Sequence, residues 1–428
     1  MKIETLHEIF LAHPFISTDT RDIKKDSIFF ALKGEKFNGN KFAKDALEKG
    51  AKYAVIDEKE FEISNNYILV SDVLETLQQL ANYHRKQFQI PIIGITGTNG
   101  KTTTKELVNT VLGKSYKTTA TIGNLNNHIG VPLTLLSIPN DCEIAIIEMG
   151  ASHIGEIEFL CRIAEPNFGI ITNIGTAHIE GFGSTEGVEK TKNELYQFIK
   201  AIKGTVFVNN DDEKLINLSA NIDKYTYGTS KSNCNAKLIS STPTVQFEWN
   251  NKIITSNLYG RYNFNNMMAA ICIGNYFKIP SNKIKDAIEN YHPTNNRSQL
   301  IKIDRTTIFL DAYNANPTSM NAAIDTFAEN NSKNKLMVLG DMLELGNISQ
   351  LEHQKIIDKV QTLKINTLFV GKEFSSVSEK YNFIYLQNYK EAIDWLKSVE
   401  LVDFQILIKG SRGMQLEKIV AYLQKKEV

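Results

Sequence analysis

Short apolar runs alternate with helical apolar stripes along this 428-residue chain, and together they predict an α/β protein in three sections. The predicted strands of the first section (1–88) and the second section (89–296) are 28–32, 52–56, 67–71, 92–96, 143–149, 168–174 and 204–208. Helical segments separate the strands of the second section, which favours a mainly parallel sheet. The third section, 297–428, alternates strand and helix again and predicts another α/β unit.

The strand 92–96 leads into a loop rich in glycine and threonine. The loop reads Gly97-Thr98-Asn99-Gly100-Lys101-Thr102-Thr103. A helix is predicted to begin at Thr102, so strand, loop and helix have the order of a phosphate cradle. In such a cradle Lys101 is expected to reach the outer phosphates and the Thr102 hydroxyl to bind magnesium. A glycine-rich turn with an exposed lysine is the alternative, and the order of the elements disfavours it.

Two polar residues are predicted at the carboxyl ends of neighbouring strands. Glu148 ends the strand 143–149, and His178 follows the strand 168–174. Ligands bind at this edge of open α/β sheets, and magnesium takes oxygen ligands. Alone, each residue is as easily explained as an exposed or structural side chain. Together they favour a ligand site.

A helix predicted over 184–200 carries a lysine on its apolar face. That apolar stripe consists of Val188, Lys192, Leu195 and Ile199. Lys190 falls on another face, which indicates solvent exposure. A buried lysine needs a partner or a changed charge. Two explanations stay open for Lys192: its amine reaches water past the helix, or the amine is chemically modified.

Two polar clusters of the third section also follow predicted strands. They are Asp311-Ala-Tyr313-Asn314-Ala-Asn316-Pro317 and Lys409-Gly-Ser411-Arg412. Ordinary turn and capping chemistry explains either cluster on its own. Because both stand at the carboxyl ends of strands in one α/β unit, we expect ligand contact.

Charge and composition exclude several kinds of partner. The formal net charge is zero and no basic block stands out, so we expect no nucleic-acid partner. The four cysteines form no C-x-x-C and predict reduced core residues of a cytoplasmic protein. The N-terminal residues mix charges into a helical pattern, unlike a signal peptide. No apolar run approaches about 18 residues, so we expect no membrane insertion.

These motifs together resemble the ATP-dependent Mur ligases of peptidoglycan synthesis. The segments that carry the resemblance are Gly97–Glu106, Glu148–Gly150, Thr172–His178, Gly123–Thr134, Asp311–Met320 and Leu339–Gly346, with the helix lysine Lys192. They are most similar to the branch that joins D-alanyl-D-alanine to UDP-N-acetylmuramoyl-tripeptide. Residues 17–21 and 28–35 resemble the UDP-sugar-binding domain of that branch.

The resemblance implies three domains: a small N-terminal α/β domain for the UDP-substrate (1–88), a central P-loop ATPase (89–296) and a C-terminal Rossmann-like domain for the dipeptide (297–428). It implies ADP-forming amide synthesis through an acyl phosphate, giving a UDP-muramoyl-pentapeptide. ATP, two magnesium ions and a carbamylated lysine are the implied cofactors. A cytoplasmic monomer is expected.

The resemblance also implies roles for individual residues. The implied ATP-binding residues are Gly97, Thr98, Asn99, Gly100, Lys101, Thr102, Thr103, Asn266, Arg297 and Asp311, with Asp311 on the ribose. The implied catalytic residues are Lys101, Glu148, His178 and Lys192. The implied metal ligands are Thr102, Glu148, His178 and Lys192 as its carbamate. The implied UDP-substrate contacts are Thr20, Arg21, Gly34, Asn124, Asn126 and Asn127. The implied dipeptide contacts are Tyr313, Asn314, Asn316, Lys409, Ser411 and Arg412.

A few positions depart from the family pattern. Tyr262 stands where the family usually has histidine, and Asn38 and Asn40 replace the outer residues of an aspartate-glycine-histidine segment. These departures concern nucleotide and uridine contacts.

The sequence disfavours four alternative functions. A sister ligase that adds a diamino acid and a folylpolyglutamate synthetase share the loop, but the segment 311–317 and the Thr102-Thr103 pair disfavour both. A nucleotide-dependent switch would bring an N-K-x-D segment, which is missing from the sequence. An inactive scaffold is disfavoured because Lys101, Glu148 and Lys192 are all present.

Overall fold

The structure is a computed structural model that describes residues 1–176, 179–378 and 381–425. Its N-terminal part contains α1 Ile3–Ala12, β1 Ile16–Ser17, β2 Ile28–Phe30, β3 Lys33–Gly34, β4 Phe37–Asn38, α2 Ala43–Glu48, β5 Tyr53–Ile56, β6 Tyr67–Leu69 and α3 Val73–Arg85. Strands β1, β2, β5 and β6 form a parallel N-terminal sheet in that order. Strands β3 and β4 form a separate antiparallel pair.

The central part is built on a nine-stranded sheet. Its elements are β7 Ile92–Thr96, α4 Lys101–Leu112, β8 Thr118–Ala120, α5 Gly130–Leu136, β9 Ile144–Glu148, α6 Glu156–Ala164, β10 Phe168–Ile171, α7 Ile179–Phe182, α8 Thr185–Ala201, β11 Thr205–Asn209, α9 Glu213–Leu218, β12 Asp223–Gly228, β13 Cys234–Ser240, β14 Gln246–Trp249, β15 Lys252–Thr255, α10 Tyr262–Tyr276 and α11 Ser281–Glu289. The strand order is β15-β14-β13-β12-β11-β10-β7-β9-β8, in which β13–β14 and β14–β15 are antiparallel pairs and the other pairs are parallel.

The order of the central sheet explains why a site forms at one edge. Strands β7 and β9 are buried throughout, as expected of strands covered on both faces. Strand β7 pairs in parallel with β10 on one side and with β9 on the other. The loops that follow these three strands therefore leave the sheet side by side, at the edge where open α/β sheets bind ligands.

The C-terminal part contains a six-stranded sheet. Its elements are β16 Gln299–Ile303, β17 Thr306–Asp311, α12 Pro317–Ala328, β18 Lys335–Gly340, α13 Ser349–Leu363, β19 Asn366–Val370, α14 Lys372–Ser375, β20 Ile384–Leu386, α15 Tyr389–Lys397, β21 Gln405–Lys409 and α16 Glu417–Lys425. The order is β16-β17-β21-β18-β19-β20, with only β16 antiparallel. Because β17 and β21 pair in parallel with Asp311 opposite Lys409, the two polar clusters predicted from sequence lie side by side.

The predicted fold class is confirmed: the chain is an α/β protein with three mainly parallel sheets. No helix among the described residues is long and apolar enough to cross a membrane.

Candidate active site

Two glycines give the loop after β7 its shape. Gly97 has φ 144° and Gly100 has φ 79°, conformations that residues with a Cβ rarely adopt. A Cβ on Gly97 would lie 2.0 Å from Thr172 Oγ1, and one on Gly100 would lie 2.5 Å from Asn266 Oδ1. The loop can therefore pass between these two side chains only with glycine at both positions.

The end of β10 fixes the loop in place. The Asn99 N–H donates to Asn173 Oδ1 at 3.0 Å, and Asn173 Nδ2 donates back to the Asn99 carbonyl at 2.9 Å. Thr172 Oγ1 donates to the same carbonyl at 2.6 Å. Sequence reasoning missed the part played by Thr172 and Asn173, although they stand in the motif quoted for His178. His178 itself lies outside the described residues.

Lys101 begins helix α4 and is partly buried. Its Nζ donates to the Gly97 carbonyl at 2.7 Å and to the Thr98 carbonyl at 3.2 Å. Burial lowers the pKa of Lys101 to about 8, the Glu148 charge opposes this decrease, and the Arg297 charge adds to it. The charges of Glu148 and Arg297 thus act on the lysine of the loop.

Glu148 is buried at the end of β9, with 1% of its surface exposed. Its Oε1 accepts hydrogen bonds from Thr102 Oγ1 at 3.2 Å and from Asn126 Nδ2 at 2.7 Å. Its Oε2 is buried and has no hydrogen-bond partner among the described residues. A buried carboxylate oxygen without a donor is costly, and a cation would satisfy it. The donor set of Glu148 and the Thr102 hydroxyl fits magnesium, which prefers oxygen.

Lys192 lies on the buried face of α8, and 2% of its surface is exposed, whereas Lys190 is exposed. The helical stripe seen in the sequence predicts this difference. Burial lowers the pKa of Lys192 to about 7; the Lys101 charge adds to the decrease, and Glu194 and Glu156 oppose it. Burial thus favours the neutral form of this amine.

Helix α10 brings asparagines to the opposite side of the loop. Asn266 Oδ1 accepts a hydrogen bond from Thr104 Oγ1 at 3.2 Å, and Asn266 Nδ2 donates to Asn263 Oδ1 at 2.8 Å. Asn263 Nδ2 in turn donates to Ser298 Oγ at 2.9 Å, and the Tyr262 hydroxyl lies 3.1 Å from the same oxygen. Tyr262, which departs from the family pattern, thus contacts the segment that leads into β16.

The C-terminal clusters reach the same region. Asn316 Nδ2 donates to Asn99 Oδ1 at 2.7 Å, which joins the start of α12 to the phosphate loop. Lys409 Nζ donates to Asp311 Oδ2 at 2.7 Å and to the Asn314 carbonyl at 3.3 Å. The bond from Asn316 joins the first cluster to the central part, and the Lys409 bonds hold the second cluster against the first.

Aromatic and hydroxyl side chains complete the C-terminal clusters. The Tyr313 ring lies 3.7 Å from the Arg297 guanidinium carbon and 5.1 Å from that of Arg412. Ser411 Oγ accepts from the Leu343 N–H at 2.9 Å and donates to the Ala315 carbonyl at 3.4 Å. The Ser411 hydroxyl is thus engaged with the backbone, and its role at a dipeptide stays a prediction.

One cavity of about 930 Å³ collects most of the predicted residues. The predicted residues that line it are Thr98, Asn99, Gly100, Lys101, Thr102, Thr103, Asn124, Asn126, Asn127, Glu148, Asn266, Arg297, Asp311, Tyr313, Asn314, Asn316 and Lys409. Glu180, Glu344 and Thr318 also line it and were not singled out from the sequence. Glu344 belongs to the segment 339–346, which resembles a family motif, but the resemblance did not assign a role to this glutamate.

Three predicted UDP-substrate residues, Thr20, Arg21 and Gly34, lie outside the wall of this cavity, in the N-terminal part. Arg21 forms an exposed ion pair with Asp19 at 2.6 Å. Asn40, which departs from the family pattern, is buried and holds the chain in place here. Its amide donates to Asp57 Oδ1 at 2.8 Å, and its side-chain oxygen accepts from the Asp57 N–H at 3.0 Å.

Comparison with known proteins places this geometry in a family. Three domain descriptions match the chain: "Mur ligase family, catalytic domain" at residues 13–85, "Mur ligase middle domain" at 95–274 and "Mur ligase, glutamate ligase domain" at 296–412. A UDP-N-acetylmuramoyl-tripeptide–D-alanyl-D-alanine ligase of Bacillus subtilis (strain 168) is 37% identical over 421 residues, with 95% of this chain and 92% of the relative covered. The chain belongs to the Mur ligase family.

Two further Mur ligases agree with this assignment. A relative of the same name from Buchnera aphidicola subsp. Baizongia pistaciae (strain Bp) is 35% identical, with 98% of this chain and 94% of the relative covered. A crystal structure of MurF from Acinetobacter baumannii superposes with a TM-score of 0.86 at 29% identity, covering 96% of this chain and 93% of that one. The resemblance seen in the sequence motifs is therefore confirmed at the level of family and fold.

Proposed function

We propose that this Mur ligase joins D-alanyl-D-alanine to UDP-N-acetylmuramoyl-tripeptide at the expense of ATP, and so makes a UDP-muramoyl-pentapeptide in the cytoplasm. The names of the relatives support the choice of substrates. We assign residues 1–88 to the UDP-substrate, 89–296 to ATP and 297–428 to the incoming dipeptide. The protein would act as a monomer.

The observation that carries the proposal is the cavity of about 930 Å³ whose wall is formed by residues of the central and C-terminal parts. Its wall contains the phosphate loop, the buried carboxylate Glu148 and the polar clusters after β17 and β21. A ligase that activates a carboxylate with ATP needs phosphates, acceptor and amine at one place, because the acyl phosphate must meet the amine before water does.

The charged residues of the wall suit phosphoryl transfer from ATP to the tripeptide carboxylate. Lys101 and Arg297 would neutralise charge on the transferred phosphoryl group, which is the main catalytic task in such reactions. The dipeptide amine would then attack the acyl carbon, and phosphate would leave. Asp311 would bind the ribose, and Asn266 would lie beside the nucleotide phosphates.

Glu148 and Thr102 would hold magnesium, and the unpartnered Glu148 Oε2 supports this assignment. Bound magnesium supplies positive charge to the phosphate oxygens. His178 is proposed as another ligand by family resemblance alone.

We further propose that Lys192 carries a carbamate. A neutral amine adds carbon dioxide and releases one proton, and the lowered pKa of Lys192, to about 7, supplies the neutral amine. The carbamate replaces a buried cation by an anion with two oxygens, which fits a second magnesium ion. Snorkelling to water is the less suitable explanation, because 2% of Lys192 is exposed.

Release of phosphate from ATP tests the proposed reaction. We expect release, and a product with the mass of the pentapeptide precursor, only when UDP-N-acetylmuramoyl-tripeptide and D-alanyl-D-alanine are both present. UDP-N-acetylmuramoyl-dipeptide with a diamino acid is the matched control for the sister reaction. Turnover of that control pair without turnover of the first pair would overturn the proposal.

A further inference from the structure

A buried lysine with no part in the chemistry described so far lies in the first half of helix α4. Lys105 has 3% of its surface exposed, and its Nζ donates to the Thr121 carbonyl at 2.6 Å. Glu106 Oε1 lies 3.8 Å from the same nitrogen, too far for a hydrogen bond. The Glu106 carboxylate already accepts from Tyr291 and Asn295. A buried ammonium group is costly, and at this position the Thr121 carbonyl is the acceptor that compensates it.

Thr121 lies where strand β8 leaves the central sheet. The parallel pairing of β8 with β9 extends to Ala120, opposite Ile146, and the Thr121 N–H adds one more bond to the Ile146 carbonyl at 3.0 Å. In a regular parallel pair the Thr121 carbonyl would next accept the Glu148 N–H. The structure departs from this pattern. The Glu148 N–H donates to Thr121 Oγ1 at 2.9 Å, and the Thr121 carbonyl accepts from Lys105 instead.

This exchange of partners lets the chain turn out of the sheet into the loop 122–127, which forms part of the cavity wall. The loop then returns to the end of β9. Asn126 Nδ2 donates to Glu148 Oε1 at 2.7 Å, and the Asn126 carbonyl accepts the Gly150 N–H at 2.8 Å. The hydrogen bond from Lys105 therefore stabilises the point at which this loop leaves the sheet.

Helix α4 thus acts on Glu148 through both its side chain and its backbone. Thr102 donates to Glu148 Oε1 at 3.2 Å, and Lys105, in the next turn of the helix, acts on the backbone through Thr121. Glu148 Oε2 has no hydrogen-bond partner among the described residues. The direction in which this oxygen faces depends on both contacts, because the side chain extends from a backbone that the Thr121 hydroxyl fixes.

We propose that Lys105 is a positioning residue for the Glu148 carboxylate as a magnesium ligand. Its ammonium group holds the Thr121 carbonyl, so that the Thr121 hydroxyl fixes the Glu148 backbone. Without the ammonium group, the carbonyl competes with the hydroxyl for the Glu148 N–H, and the loop 122–127 loses the point from which it turns. The inference rests on the proposed function, which makes Glu148 a metal ligand. Groups that orient a metal ligand typically contribute about 10-fold to 100-fold in metal affinity.

A second bond between α4 and β8 provides a matched control. Thr118 Oγ1, at the start of β8, donates to Asn109 Oδ1 at 2.7 Å. This bond joins the same helix to the same strand, but at the end of β8 that is remote from Glu148. If Lys105 served only to attach α4 to β8, loss of either bond would have the same effect. If Lys105 positions Glu148, only the loss of its ammonium group changes metal binding.

Nucleotide binding with and without magnesium tests this role apart from turnover. The fluorescent nucleotide mant-ADP is titrated with the full-length protein in excess magnesium and, separately, in EDTA. In Lys105→Met, which keeps the apolar stem, we expect the dissociation constant in magnesium to rise by about 10-fold. The dissociation constant in EDTA should stay that of the wild type, and Asn109→Ala should match the wild type in both buffers. Equal weakening of Lys105→Met in both buffers would overturn the inference, because it would show damage to the phosphate loop itself.

Two variants of Thr121 test the second step of the chain of contacts. Thr121→Val removes the hydroxyl at nearly constant shape and should lose the magnesium effect as Lys105→Met does, whereas Thr121→Ser keeps the hydroxyl and should retain the effect. This pair decides the question if Lys105→Met folds poorly. A wild-type protein without any magnesium effect would overturn the proposed metal site and this inference with it. A wild-type effect that survives in Lys105→Met and in Thr121→Val would overturn this inference alone.

Discussion

The central part contacts the N-terminal part mainly through apolar packing, and it contacts the C-terminal part mainly through polar side chains. On the N-terminal side, α3 packs on α5 and α6, and Leu77 and Leu80 share one continuous apolar cluster with Leu135 and Leu160. On the C-terminal side, the boundary contains the cavity lined by polar side chains and bridged by the bond from Asn316 to Asn99, beside a smaller apolar contact of Tyr259 with Phe309. We call these the N-terminal seam and the C-terminal seam.

The hydrogen bonds follow the same division. In the N-terminal seam, Arg85 Nε donates to the Ala164 carbonyl at 3.0 Å, and Asn82 Nδ2 donates to the Ile163 carbonyl at 3.0 Å. These donors satisfy carbonyls at the end of α6, where a helix has no partners of its own. The C-terminal seam instead directs side-chain oxygens and cations into a cavity. The comparison indicates that the N-terminal seam mainly stabilises the fold, whereas the C-terminal seam contains the candidate active site.

Lys101→Ala should show the largest effect on activity. The variant removes positive charge from the C-terminal seam, and we expect kcat to fall by about 10²- to 10³-fold, the range for a lost transition-state donor. Because Lys101 donates its hydrogen bonds to loop carbonyls alone among the described residues, the thermal midpoint should hardly change. Phosphate release and differential scanning fluorimetry measure the two quantities. Near-normal turnover of folded protein would remove the argument for phosphate binding.

Lys192→Ala should show the second-largest effect on activity. If a carbamate supplies oxygen ligands, its loss should lower activity by about 10-fold to 100-fold, as for changes that disturb a metal site, and formate or acetate should restore part of it. The matched control is Lys190→Ala, on the exposed face of α8. Full activity of Lys192→Ala in buffer free of carbon dioxide, or an inactive Lys190→Ala, would contradict the assignment.

Leu80→Ala tests the N-terminal seam. Leu80 is fully buried, so its truncation should reduce the free energy of unfolding by about 2–5 kcal/mol while kcat of the folded protein is kept. Leu351→Ala, at a position with 57% exposure, is the control and should change stability by less than about 0.5 kcal/mol. Urea unfolding followed by circular dichroism measures both. A large loss of kcat in folded Leu80→Ala would mean that this seam also governs the chemistry.

The sequence predicts the central elements well because their signals are local. The strand 92–96 is found at Ile92–Thr96, and the stripe through Lys192 is buried as its spacing requires. The short edge strands β8 and β16 and the hairpin β14–β15 have weak apolar patterns, and they depend on pairing with neighbours. Sequence spacing could not predict them.

The site residues also differ in how far the sequence alone identifies them. Residues in recognisable motifs, such as Glu148 and Asp311, could be selected from the chain alone. Asn173 and Glu344 stand in quoted motifs too, but their positions at the cavity follow from the order of strands and from the packing of the C-terminal part against the central part, which the sequence does not show. The neighbouring positions of Asp311 and Lys409 also depend on the pairing of β17 with β21, which are far apart in sequence.

Asn316→Ser should produce a smaller effect at the C-terminal seam. Serine keeps the N-cap of α12 but is too short to reach Asn99, so one hydrogen bond is lost, worth about 1 kcal/mol or about fivefold in the KM for ATP. Asn388→Ser changes the N-cap of α15 away from the seam and is the matched control. Equal effects of the two substitutions on KM would show that capping alone is measured.

The smallest expected effect concerns pH at the contact of α1 with α3, on the N-terminal side of the N-terminal seam. His84 Nδ1 lies 3.0 Å from His7 Nε2 in the buried contact of α1 with α3. Burial lowers the pKa of His84 from 6.5 to about 4, and the His7 charge adds to the decrease. Between these two pH values the unfolded chain binds a proton that the folded protein does not, so the free energy of unfolding should fall as pH falls through this window.

His84→Asn should make this dependence shallower, because the asparagine amide replaces Nδ1 as the partner of His7 and does not titrate. His292→Gln, at an exposed position, is the control and should leave the slope as it is. Urea unfolding at several values between pH 4 and pH 7 measures the slope, while kcat near neutral pH should be the same for all three proteins. An unchanged slope in His84→Asn would show that the groups responsible for the acid dependence lie elsewhere.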